Sequence, residues 1–280
     1  MTIYGVEKAR QFSERAVQEG RRVRFLLRVI SGEDFLFPGQ EGGFCLLNLR
    51  KEASQILQLP NVQIAGVTSF PCLEVDESTQ ALKPTLNFHT ILRAAQILQD
   101  KLGIAVEQIN APGNTCVAAM TILAQMGATH GEPGHALTGT TYLHAHSHQP
   151  EKPAVVYVSE VSHLHGNQAY VFGGGTYRRA KINRALVGSR PDKLQRAQVL
   201  PLDPTAIDYY VSLALPPEHK VSVGDTVIFA SRVQIFVSRS YVAVVRGIQQ
   251  SHALLMGLFD CWGRPVEVAT DAYATDPVGS

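Results

Sequence analysis

The stretch THGEPGHALTGTT, Thr129 to Thr141, gathers two histidines, one glutamate and three glycines and holds no lysine. Two chemistries suit that set. Glycines let backbone N–H groups come close to a ligand such as a phosphate. Histidines and a carboxylate can instead bind a metal. A second stretch, NAPGNTC, Asn110 to Cys116, runs straight into a helical pattern. Asn114, Thr115 and Cys116 would then stand at a helix N-terminus, where unpaired N–H groups and the helix dipole favour an anion, and Thr115 adds a hydroxyl. A plain N-cap accounts for the same residues. Backbone N–H groups around Gly134 would form a second set, and two such loops on adjacent strands can cup one phosphate.

The metal alternative rests on YLHAHSHQ, in which His144, His146 and His148 alternate and would share one side of a strand. His163 and His165 repeat the spacing in SHLHG. His146 and His148 lie in a polar segment of the solvated kind, so no bound metal is expected. The named fingerprints GxxxxGK[ST], GxGxxG between strand and helix, HExxH and GxSxG are absent. The run Gly173 to Gly175 lies among strand patterns and reads as a tight bend.

The elements that must position these loops alternate in type. Thr2 to Tyr4 reads as a strand. Val6 to Glu19 reads as an amphipathic helix, with Val6, Ala9, Phe12 and Ala16 at three- and four-residue steps and Gly20 beyond its end. Val23 to Ile30 is apolar enough for a buried parallel strand. Asn48 is placed to cap a helix that Pro60 stops. Val62 to Thr68 and Ile104 to Ile109 read as strands. Asn87 to Leu102 reads as a helix with Phe88, Ile91, Leu92, Ala95 and Leu98 on one side, and Thr115 to Met126 as a shorter one. This makes about five strand–helix units, the signature of an α/β fold with a parallel sheet. Ligands in such folds sit at the carboxyl ends of the strands. The loops Ser31 to Phe44, Thr68 to Glu77, Asn110 to Cys116 and Thr129 to Thr141 each begin there, so they predict one shared site.

Beyond Gln149 to Pro153 the pattern changes to alternating runs such as AVVYVSEV, QAYVFG, YYVSLAL and DTVIFA. These predict an antiparallel β domain, as a small barrel. The chain is therefore divided into residues 1–150 and 151–280. Its 280 residues are 45% hydrophobic and 18% charged with a formal net charge of +1, and no basic block stands out, so no nucleic-acid partner is expected. No apolar run approaches the ~20 residues of a membrane helix, and no signal core opens the chain. Cys45, Cys72, Cys116 and Cys261 are far apart and read as free thiols. A cytoplasmic protein without membrane contact is expected.

Taken together, RFLLRVISG, IAGVTSFPC, INAPGNT, GEPGHALTGTT, YVSEVSH, GGGTYRR and VGDTVIFASRVQIFVSRS resemble the YhfX-type branch of the alanine-racemase-like enzymes, which are pyridoxal-phosphate proteins of fold type III. The resemblance runs from Thr2 to about Ile248. It implies a TIM-like (β/α)8 barrel followed by a C-terminal β domain, a homodimer, pyridoxal 5'-phosphate as cofactor and an amino acid as substrate. The reaction it implies is removal of the Cα proton and its return on the other face. A pyridoxal-phosphate D-amino-acid lyase or dehydratase, or a non-catalytic binder of cofactor or phosphate, are the alternatives.

By position, the resemblance assigns Asn114, Thr115 and Cys116 to the first phosphate loop and Gly134 and His135 to the second. Glu132 stands where alanine racemases carry an arginine facing the pyridine nitrogen; a carboxylate there favours a protonated ring and a well-stabilised carbanion. Arg28 takes the place of a modified lysine and suits a phenolate or carboxylate partner. Ser69 replaces a histidine stacked on the ring. Tyr177, in GGGTYRR, is the counterpart chosen for the second catalytic base, and His135 is the other candidate catalytic group. Arg232 and Gln234 fall where related lyases hold zinc, and neither is a zinc ligand. The family's cofactor-bearing lysine lies on the first barrel strand, whereas this chain begins near the fourth. None of Lys8, Lys51, Lys83, Lys101, Lys152, Lys181, Lys193 and Lys220 ends a predicted site strand. Roughly 100 residues of barrel would be missing, at ~30 residues or more per unit. The expectation is a shortened or degenerate relative that keeps the phosphate cradle without the covalent tether.

Overall fold

A computed structural model of the protein describes residues 1–76, 78–173, 182–203, 205–230 and 239–267, except for the side chains of residues 145 and 146. The chain divides into two compact units, Met1–Ala154 and Val155–Ser280.

The first unit follows the strand–helix alternation of its sequence. Its elements are β1 (Thr2–Ile3), α1 (Val6–Gln18), β2 (Val23–Ile30), β3 (Phe44–Cys45), α2 (Leu49–Leu57), β4 (Val62–Thr68), β5 (Leu73–Val75), β6 (Leu82–Pro84), α3 (Leu86–Leu102), β7 (Gln108–Asn110), α4 (Val117–Gln125) and α5 (Tyr142–His146). Strands β1, β2, β4 and β7 lie in that order, all parallel, and β3 adds to β2. β5 and β6 form a small hairpin. β2 buries Phe25, Leu27 and Val29 completely, and α3 buries Phe88, Ile91, Ala94, Ala95 and Leu98. Each set lies at the period of its own element, so sheet and helix close over one apolar core. Phe88→Ala should cost about 3–5 kcal/mol, because a cavity remains where the ring was. A shifted urea midpoint checks it.

Several local expectations change. The strand expected over 104–109 pairs at Gln108–Asn110. The fifth unit contributes a single parallel bridge, Asn110 to His130. α4 starts at Val117, because Cys116 keeps extended backbone angles as its N-cap. Asn48 occupies the N-cap of α2 without a side-chain capping bond. His144, expected on a strand with His146, lies in the short helix α5. At 3.6 residues per turn, positions two apart do not share a face. Among the described residues no group of three or more His, Cys, Asp or Glu side chains is placed to hold a metal ion.

The second unit is a closed antiparallel barrel, the small barrel that its alternating runs predict. β8 (Tyr157–His165), β9 (Gln168–Phe172), β10 (Arg184–Gly188), β11 (Gln195–Val199), β12 (Tyr210–Ala214) and β13 (Thr226–Phe229) close it in the order β10-β11-β12-β9-β8-β13. Val161, Ala169, Val171, Leu213, Val227 and Phe229 fill its core. β14 (Val242–Arg246) and β15 (Leu254–Phe259) pair separately. His163 stacks on Tyr170, with ring centroids 4.5 Å apart. Tyr177, Arg232 and Gln234 lie outside the described residues. No helix among those described is long and apolar enough to cross a membrane.

Candidate active site at the strand ends

The register of the parallel sheet builds a row of polar residues. Arg28 pairs with Thr68, Thr68 with Asn110, and Asn110 with His130. All but His130 are buried. They sit at the carboxyl ends of the strands, where α/β folds place ligands. β4 and β7 can approach this closely because residue 66 is glycine; a Cβ there would strike the Gln108 carbonyl oxygen.

Asn110 is the hub of the row. Its side-chain amide donates to Thr68 Oγ1 at 3.2 Å and to Glu132 Oε1 at 2.6 Å. The second bond holds the exposed Glu132 carboxylate at the mouth of the site. Asn110 was not singled out from sequence, although an amide as the first residue after an apolar strand is the signal it carried.

Arg28 is anchored to the loop that follows its own strand. Its Nε donates to Gly42 O at 3.1 Å and its Nη2 to Gln40 O at 2.9 Å, and the guanidinium lies 5.4 Å from the Tyr4 ring centre. It ties the loop after β2 back over the strand end. The same loop is clasped by α3. Thr90 Oγ1 donates to Asp34 Oδ1 at 2.8 Å, and the Asn87 amide donates to Phe35 O at 3.0 Å and to Ser69 Oγ at 3.3 Å. Ser69 is thereby engaged with α3. Burial pushes the Cys72 thiol far up.

The residues assigned to phosphate divide in their roles. Asn114, at a positive φ of 47°, turns its amide onto Leu73 O at 3.0 Å and fixes the loop. Thr115 is buried to 3% exposure, and its hydroxyl has no hydrogen-bond partner among the described residues. A buried hydroxyl without a partner costs about 1–3 kcal/mol, so its persistence asks for a reason. A Cβ on Gly131 would lie 2.8 Å from Thr115 Cγ2, so the two glycine-containing loops do meet, at Thr115. Cys116 caps α4 with its thiol pushed up by burial, so it is not a poised thiolate. Gly134 is exposed, with open space where a Cβ would stand. His135 is half-buried and begins a 3-10 turn, His135–Thr138, whose threonine hydroxyl donates back to His135 O at 3.0 Å. The Val117 amide, the first of α4, donates to Glu151 Oε1 at 2.7 Å.

Comparison with known proteins identifies the family and the fold. Residues 1–142 match the alanine racemase N-terminal domain, and residues 156–255 match the YhfX-like C-terminal domain. Uncharacterized protein YhfX of Escherichia coli (strain K12) is 41% identical over 264 residues, which is 94% of this chain and 67% of that protein. Among solved structures, an alanine racemase of Clostridium difficile 630 in complex with cycloserine superposes with a TM-score of 0.53 at 16% identity, covering 93% of this chain and 72% of that one. D-threo-3-hydroxyaspartate dehydratase from Delftia sp. HT23 superposes with a TM-score of 0.54 at 13% identity, covering 82% of this chain and 64% of that one. At these identities the two structures establish the shared fold.

Proposed function

Because this chain belongs to the alanine-racemase-fold family and to its YhfX-like branch, we propose that its strand-end site takes pyridoxal phosphate and an amino acid and removes and returns the amino acid's Cα proton. The observation that carries this reading is the buried, unpaired Thr115 hydroxyl at the start of α4, with Asn110 holding the Glu132 carboxylate nearby on the same loops. The first is a ready donor to a phosphate oxygen. The second is a carboxylate placed to keep a proton on a heteroaromatic nitrogen.

Bound pyridoxal phosphate would supply the electron sink that makes an amino-acid Cα–H acidic. The chain's own residues then have separate tasks. Thr115 and the α4 N-terminus bind the phosphate group. Glu132 would offer its carboxylate to the ring nitrogen. Arg28, through Gln40 and Gly42, holds the loop that closes over the strand ends. His135 is the described candidate for moving a proton, and Tyr177 is assigned the same task from outside the described residues. A homodimer in the cytoplasm belongs to the proposal; unpaired cysteines support the reducing compartment.

Among the described residues no lysine stands at the carboxyl end of β1, β2, β4 or β7; Lys8, Lys51 and Lys101 lie on helices, and Lys83 pairs with Glu74 and Asp76 on the β5–β6 hairpin. The described site therefore holds the cofactor by contacts. Borohydride treatment of the loaded chain should leave its mass unchanged, and a pyridoxyl-lysine adduct on any peptide would refute this. The reaction is tested by incubating candidate amino acids in deuterium oxide. Exchange of the Cα proton with loss of optical activity and no new product means racemisation. A keto acid would assign the lyase chemistry instead.

A further inference from the structure

We propose that Glu151 is a built-in occupant of the anion seat at α4, and that an incoming phosphate group must displace it. α4 is a nine-residue helix whose first amide, on Val117, donates to Glu151 Oε1 at 2.7 Å. That carboxylate is largely buried. Burial raises its pKa, but the Val117 amide and the His144 imidazole outweigh burial and hold it below the usual carboxylate value. It is therefore an anion placed where the helix dipole favours one. His144 Nε2 stands 3.4 Å from its other oxygen, and His144 Nδ1 is held 2.7 Å from Thr141 Oγ1.

The occupant fits imperfectly. It satisfies one amide. The Thr115 hydroxyl, two residues before Val117, stays without a hydrogen-bond partner among the described residues, and Glu151 Oε2 meets His144 Nε2 only as a 3.4 Å ion pair. A phosphate group carries three terminal oxygens, so after accepting from the Val117 amide it has acceptors left for the Thr115 hydroxyl. The two anions cannot share the seat, because at hydrogen-bonding separations their repulsion is large in a partly buried site. The segment that carries Glu151 is also fastened to the second glycine loop. Ala154 N–H donates to Thr138 O at 2.8 Å, and a Cβ on Gly139 would strike the Lys152 carbonyl. Displacing Glu151 thus loads the turn that holds Gly134 and His135. Phosphate binding and the arrangement of that turn are one coupled event, which makes Glu151 a regulator of when the site fills.

This inference rests on the reading of the strand-end site as a phosphate seat. The test is a titration of the full chain with inorganic phosphate, with Kd from calorimetry and the Val117 amide shift from NMR. E151Q keeps the shape and removes the charge, and E151A removes the occupant. Both should bind phosphate about tenfold more tightly than the parent chain, the scale of one charge-assisted hydrogen bond. Adding T115V to either should abolish the gain. If E151Q and E151A bind phosphate with the parent's affinity while T115V weakens all of them, the seat stands and the occupant is overturned. If none of the three chains binds phosphate, the seat itself is overturned and the occupant with it. Thermal melts of both variants ensure that at least one folded form is measured.

Discussion

Glu132→Ala should slow Cα-proton exchange by about a hundredfold or more and weaken pyridoxal-phosphate binding only a few-fold. The asymmetry follows from where the carboxylate acts. Glu132 is exposed, and its one described side-chain bond, from Asn110 at 2.6 Å, orients it without burying it. On the proposed reading it would contribute little to holding a cofactor gripped at its phosphate. Its charge matters when the ring must accept electron density from the substrate, and a contact that strengthens only then lowers the rate and spares the affinity. Glu132→Gln sharpens the test. Its amide oxygen can still accept from Asn110, so a rate loss equal to that of the alanine variant assigns the effect to charge. Equal losses of rate and affinity in both variants would sink the assignment of Glu132 to the ring nitrogen.

Gly66→Ala should unfold the first unit or destabilise it by more than about 3 kcal/mol, the range of severe backbone clashes. The new methyl would meet the carbonyl oxygen, carbonyl carbon and Cα of Gln108 together. A backbone neighbour cannot rotate aside as a side chain does, so β4 and β7 must separate. That separation breaks the pairing of Thr68 with Asn110 and removes the platform from which Asn110 reaches Glu132. Gly134→Ala is the milder comparison: it has open space around the added carbon, but its φ of −122° and ψ of −92° lie outside the regions other residues favour, so it should lose some stability and much less than Gly66→Ala. If Gly66→Ala folds with unchanged stability, the close approach of the two strands is wrong.

Much of the scaffold was legible because its signals are local. The apolar steps of α1 and α3 and the continuous apolar run of β2 need no knowledge of the rest of the chain. The same holds for the alternating runs of the barrel, where side chains point to opposite faces by geometry alone. The polar loops after each parallel strand were legible too, since ligand loops in such sheets follow the strands. The errors lie where a local pattern fits two periods. YLHAHSHQ alternates like a strand, yet Tyr142–His146 closes as a helix beside Thr141, and the shared face of histidines disappears with it.

The residue inventory of the site, Asn114 to Cys116 with Glu132 to His135, is a property of the sequence, because loop chemistry is written in the residues themselves. How those residues are used was decided by contacts between distant parts of the chain. Arg28 spends its guanidinium on the carbonyls of Gln40 and Gly42, Asn110 finds Glu132 across 22 positions, and Glu151 reaches the Val117 amide across 34. A hydrogen bond forms only between groups that folding brings within about 3 Å. Composition and periodicity specify which donors and acceptors exist; which of them meet is fixed only when the sheet has closed over its core.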